Sequence, residues 1–596
     1  MALSRRKLLK GSAATTAALA ISSTLDLTQP PSALSAPSPE TPRQITPAAT
    51  PDAATIAMHR MAYGPRPGDI DRVRSIGLAA YIEEQLKPSS IDDSACEALI
   101  SQARLKIKYD AVHEVRPLSN LNKSVTDLWT LHKTNTNYTE RIRPFEEVRV
   151  ATWIRAVHSK RQLQEMMVEF WYNHFNVNAT SDTRIAVTFP VYDRIMRTHC
   201  LGNFRTFVEE VGRSVAMMYS LDNVSNRVAG GEGGNENYAR ELLELHTLGS
   251  DNYLKFYDRR GDIATITYGN ETFPIGYIDD DVYETARCFT GWTIANGHWE
   301  RPTLDDGSFL YDPKWHDTNP KTVLATRPAP GIGPEPNIPR NQPDLSDGKK
   351  VYDLLTRHPG TARHICTKLC CRFVADDPPG DLIDTAVAMW MQHRNSPDQI
   401  ARVMRVILNS QAFKTTWGAK VKRPFEATAA LLRATNATLP VDFIDPNNAD
   451  NGALWNSFNW QFSSAGQSIF QWPTPTGHPD VASYWASTNG MLRRWNMLHI
   501  LTQSWGGGVK IDIVGQTNLN NTCTQIIDFW IARLCGFSID PQARQHLIAF
   551  LAQGGDVNAP PKPLSGAPDW NNADAVKDRL ISAVQLIAAT PDFHTR

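Results

Sequence analysis

The stretch that most constrains the fold is Asn235-Glu-Asn-Tyr-Ala-Arg-Glu-Leu-Leu-Glu-Leu-His-Thr-Leu-Gly249, entered through Ala229-Gly-Gly-Glu-Gly-Gly234. It predicts a helix with a defined start and stop. Asn235 can accept from a free backbone N–H of the first turn. Glu236 puts negative charge at the positive end of the helix dipole. Gly249 can take the left-handed conformation that ends a helix. At about 100° per residue, Glu236, Asn237, Arg240, Glu241 and Glu244 form one polar arc. Tyr238, Ala239, Leu242, Leu243 and Leu245 fill the other side, with His246 nearly above Leu242 and Ala239. Such a helix must bury its leucine face against neighbours.

Those neighbours are predicted to be helices too. The same periodicity recurs near 94–107, 118–136, 146–158, 187–199, 204–219, 279–289, 348–356, 360–374, 382–394, 399–408, 424–434, 481–502, 524–534, 541–551 and 573–588. Two short excursions break it. Residues 265–277 carry apolar runs around Gly269-Asn270, a hairpin signal. Residues 297–299 and 308–311 predict a second hairpin around Asp305-Asp306-Gly307. The fold class is therefore all-α, with orthogonal or bundle-like packing and small β-hairpins.

The N-terminus stands apart. Ser4-Arg5-Arg6-Lys7-Leu8-Leu9-Lys10, a weakly apolar run to Leu25 and Ala33-Leu34-Ser35 resemble a twin-arginine signal peptide over 1–35. A Pro/Ser/Ala-rich linker follows over 36–50. One large helical domain is expected over 51–596, and 340–345 is where it would subdivide. The expected location is periplasmic or extracellular. No later run reaches about 18 uninterrupted apolar residues, so no membrane span is expected in the mature protein. A net charge of −1, with no basic stripe, argues against a nucleic-acid partner. The eight cysteines are too scattered for a disulfide framework. Cys366 and Cys370 share a helix face and read as small core residues.

Several ordered segments carry a family resemblance. They are Met58-His-Arg-Met-Ala-Tyr-Gly64, Glu169-Phe-Trp-Tyr-Asn-His-Phe175, Asn235 through His246, and Phe289-Thr-Gly-Trp292. His316-Asp317 with Lys321, His358 through Arg363, Lys368 through Val374, Lys422-Arg-Pro-Phe425 and Trp472-Pro-Thr-Pro-Thr-Gly477 complete the set. Together they resemble the bacterial family catalogued as domain of unknown function 1800. The resemblance implies an exported, mainly helical protein. It also implies a neighbouring alkaline-phosphatase-like partner of the family catalogued as domain of unknown function 1501. It implies no activity. Residues 251–276 depart from the family pattern as an insertion.

Two readings of the chemistry stay open. In the first, Glu241, Glu244, His174, His316 and Asp317 form a hydrolase-like carboxylate/histidine centre that could hold a divalent metal. Arg240 would steady the carboxylates, and Asn235, Asn237 and Trp472 would serve binding. In the second, the chain is a non-catalytic scaffold that binds a partner hydrolase or a cell-surface glycan through tryptophan-rich loops. Arg240 beside the glutamates suits a structural ion-pair network. His246, on the leucine side, suits the core. The stiff Trp472–His478 loop could stack a sugar or plug the core. No GxSxG, HExxH or GxxxxGK[ST] signature is present.

Overall fold

The computed structural model describes residues 50–109, 112–228, 234–255, 260–326, 335–444, 462–503, 509–563 and 572–596. They lie in one compact unit that runs from Ala48 to Arg596. The glycine-rich approach at 229–233, most of the 439–462 loop and the N-terminal signal fall outside the described residues. Of the described residues, 55% are helical and 8% are in strands, so helix packing sets the architecture.

Two helices organise the interior. Tyr138–His158 starts under Asn137, whose Oδ1 accepts from Thr139 N at 2.9 Å, and packs along Thr183–His199. Pro424–Ala434 is buried at every position. Its run Ala-Thr-Ala-Ala lets neighbours approach closely, and its two charged residues are paired, Glu426 with Arg423 at 3.0 Å and Arg433 with Asp69 at 3.1 Å. It contacts Tyr138–His158, Thr488–Thr502 and Cys523–Leu534. Cys366 and Cys370 are fully buried, and all eight cysteines are free.

The strands are few. Thr265–Tyr268 pairs with Glu271–Pro274 in the expected hairpin. The second hairpin is longer than expected, because Trp292–Asn296 pairs with Asp305–Tyr311 and residues 297–299 lie in the connection. A third group was not anticipated. The helix expected over 94–107 stops at Gln102, and Arg104–Tyr109 pairs antiparallel with Val112–Pro117 and parallel with Asp442–Ile444. The alternation Leu105, Ile107 inward against Arg104, Lys106 outward carried that strand, and helical periodicity upstream masked it. Helices expected whole over 204–219 and 481–502 are each split, at Ser214 and at 486–487, by N-capping serines that start a second helix.

Candidate functional site

The central helix is shorter and less regular than its sequence suggests. Asn237–Glu241 is α-helical and Leu242–His246 makes a π turn. Asn235 Oδ1 accepts from Asn237 N at 3.0 Å, as read; the helical turns end at His246, and Gly249, at φ 87° and ψ 155°, is not the left-handed helical cap expected. The wide turn leaves its last carbonyls to outside donors. Thr247 Oγ1 donates to Leu242 O at 2.6 Å. His364 Nε2 donates to Leu245 O at 3.2 Å, and His174 Nε2 to His246 O at 3.1 Å.

His174 thus faces the central helix. Lys368 Nζ lies 3.0 Å from His174 Nδ1. A lysine can only donate, so Nδ1 accepts and Nε2 carries the proton. Burial, with the Lys368 charge beside it, drives the His174 pKa well below its usual value. Burial and the same lysine push His246 down to about 3, and His364 to about 4. The Lys368 ammonium is itself pushed down to about 8 by burial. These histidines are neutral packing and capping groups at pH 7.

The other expected site residues have separate surroundings. Glu241 and Glu244 are half-buried beside Tyr277. Arg240 pairs with Glu236 at 3.1 Å and Asp279 at 3.3 Å. Asn237 Nδ2 donates to Asp222 at 3.3 Å. His316 has Nε2 3.1 Å from Asp347 and Nδ1 2.8 Å from Thr290 O. Asp317 accepts from Arg287 Nε at 2.7 Å. Burial raises the Asp317 carboxyl, but Arg287 outweighs it and holds the group low. The His316-Asp317 side chains therefore tie their own loop down, with partners different from those of His174. Among the described residues, no group of three or more His, Cys, Asp or Glu is arranged to hold a metal ion.

Convergence occurs elsewhere, around Glu169 and Asn173 of the Gln162–His174 helix. Glu169 Oε1 accepts from Asn173 Nδ2 at 2.6 Å, and Oε2 from Arg372 at 3.0 Å and from Arg423. Both arginines also reach Glu426, which pairs with Arg596 at 3.4 Å. Asp480 lies 3.0 Å from Lys420 and 3.8 Å from Arg372, and Lys420 is 2.6 Å from Asp376. Four cations, Arg372, Arg423, Arg596 and Lys420, face four carboxylates. Burial alone would raise Glu426 and Asp480; the arginines, led by Arg372 and with Lys420 at Asp480, outweigh it and hold both well below the usual range.

Above this network lies a cavity with about 620 Å³ of space between atoms, its opening included. Tyr63, Glu169, Asn173, Phe425 and His478 line it, so four segments distant in sequence meet there. Gly64, at φ +98°, turns the chain beside Tyr63 and lies close to Ala430. Asn176 Nδ2 donates to Trp472 O at 3.1 Å and Thr474 O at 2.6 Å, which pins the tryptophan-proline loop over the cavity. Trp472 is half-buried, with its ring 4.6 Å from that of His478. Sequence reasoning singled out Trp472 but missed Tyr63, Glu169, Asn176 and Gln467 as wall residues. Their signal was a polar side chain beside a turn or inside an aromatic helix, which only packing makes interpretable.

No curated protein and no solved structure matches the chain. The family model described as "Protein of unknown function (DUF1800)" matches residues 56–595, nearly all of the region after the linker, and the chain belongs to that family.

Proposed function

We propose that this is an exported binding protein whose ligand enters the cavity under the Trp472–His478 loop, and that the surrounding ion network holds that site rigid. One observation carries the reading. The carboxylate on the cavity wall, Glu169, is clamped by two arginines and an amide, and the wall histidine His478 is pushed down to about 4 by burial and Arg423. A general acid or base works best with a pKa near the operating pH. A carboxylate with both oxygens already bonded, and a histidine pushed this low, suit recognition better than proton transfer. The twin-arginine signal, and a neighbouring alkaline-phosphatase-like protein as a second partner, belong to the same proposal.

The test is a comparison of the full chain with its Glu169→Gln variant. Soluble glycans, esters and phosphoesters are offered, and binding and turnover are both followed. The proposal expects saturable binding of a glycan with no turnover. Turnover of any ester or phosphoester that disappears in a folded Glu169→Gln protein would replace it with the hydrolase reading.

A further inference from the structure

The cavity wall carries polar atoms with nothing to bond. Tyr63 is 3% exposed, and among the described residues its hydroxyl has no hydrogen-bond partner. Gln467 is 4% exposed; its Oε1 accepts from Phe425 N at 2.8 Å, and its Nε2 donor has no partner among the described residues. Asn176 uses its amide nitrogen on the loop carbonyls, which leaves Oδ1 as an acceptor. His478 Nε2 lies 3.3 Å from Ser468 O, and its Nδ1 is buried without a partner. An unmade bond on a buried polar atom is costly, and His478 Nδ1 is such an atom; Tyr63, Gln467 and Asn176, which carry the others, line the cavity. The paired Glu165 and Arg197 and the clamped Glu169 also line it, and Phe425, Ile469 and Phe470 supply an apolar part of the wall.

From this inventory we infer that the cavity takes the acetamido group of an N-acetylated amino sugar, with the sugar ring resting against Trp472 outside. This deepens the binding reading above and rests on it. The group offers a partner to each of three of these wall residues. Its carbonyl oxygen accepts from the Tyr63 hydroxyl and Gln467 Nε2. Its N–H donates to Asn176 Oδ1. Its methyl lies against the phenylalanines. A free amine offers donors only, and it finds no spare carboxylate, because Glu169 is held by arginines and Glu165 pairs with Arg197 at 2.9 Å. A carboxylate finds no spare cation for the same reason. A plain hydroxyl leaves the apolar wall uncovered. The half-buried Trp472, stiffened by Pro473 and Pro475, offers the flat aromatic face on which an apolar sugar face stacks.

Calorimetric titration of the full chain tests this with N-acetylglucosamine, its short oligomers, glucosamine, glucose and an N-acetylated alanine amide. N-acetylglucosamine should bind at least about tenfold more tightly than glucosamine or glucose. Oligomers that bind more tightly still point to a polymer as the source; equal binding points to the free sugar. Tyr63→Phe should weaken binding about five- to tenfold and leave the melting temperature unchanged, because the hydroxyl it removes has no internal partner. Trp472→Ala should weaken the sugar and leave the acetylated amide unaffected. Equal affinity for glucose, an indifferent Tyr63→Phe, or an acetylated peptide bound as tightly as the sugar overturns the inference. Glycan binding without acetamido preference sinks only this inference. Turnover that depends on Glu169 sinks the binding reading itself.

Discussion

Lys368 brings a charge to His174 that, among the described residues, no carboxylate within 4.0 Å answers. Its folded pKa, about 8, lies below the value near 10.4 of an exposed lysine. The unfolded chain therefore holds that proton more tightly, and the wild type gains stability as pH rises from about 8 towards 10.5. Lys368→Met should raise stability at pH 7 by about 1 kcal/mol, after discounts for partial exposure and the lost bond to His174. The gain should shrink steadily across that alkaline window. Urea midpoints of both proteins from pH 7 to pH 10 check this; a gain independent of pH would mean that the lysine charge is well solvated. Sequence reading singled out His174 as a site residue and Lys368 only as the start of a family segment; their contact stayed hidden, because the two lie on different helices and no spacing rule connects them.

At the scale of elements, the Trp472–His478 loop depends on one glycine. Gly477 has φ +71°, and a Cβ there would lie 2.1 Å from the backbone oxygen of Asn173. The left-handed conformation alone costs an L-residue roughly 1–2 kcal/mol, and a backbone overlap cannot be relieved by a rotamer change. Gly477→Ala should therefore destabilise by about 2–4 kcal/mol and loosen the loop. Chemical denaturation and quenching of tryptophan fluorescence would show both effects. An alanine variant with an unchanged midpoint would mean that the loop does not press on the helix end. The central helix teaches the complementary lesson. Its cap at Asn235 was legible because it acts locally. The π turn that follows was not, since its stray carbonyls are satisfied by His174 and His364 from other helices.

For the whole molecule, the buried histidines set the acid limit. Burial pushes His158, His358, His364 and His478 down to about 4, His246 to about 3, and His59, His174 and His594 well below their usual value. In the unfolded chain these groups titrate near 6.5. The unfolded state binds the extra protons first, so stability present above pH 6.5 is lost as pH falls through 6 and 5. Each such histidine contributes up to about 2 kcal/mol by pH 5. The carboxylates held low, Glu426 and Asp480, add their loss only below about pH 4. Calorimetric melting temperatures should fall steeply between pH 7 and pH 5. A flat profile there would show that these imidazoles are hydrated.

What the chain determines on its own is local and periodic. Helix spacing, caps, the hairpin at Gly269-Asn270 and the segments that mark the family are written in neighbouring residues, because 3.6-residue periodicity and turn chemistry need no distant contact. The strand at Arg104–Tyr109 escaped for the opposite reason: it pairs with Asp442–Ile444, far along the chain. The site belongs to the same class. Tyr63, Glu169, Gln467 and His478 become neighbours only when a helix buried on every side, Pro424–Ala434, draws the segments around it together. Whether a polar group is paired or left open to a ligand is a property of that packing, and only the tertiary structure decides it.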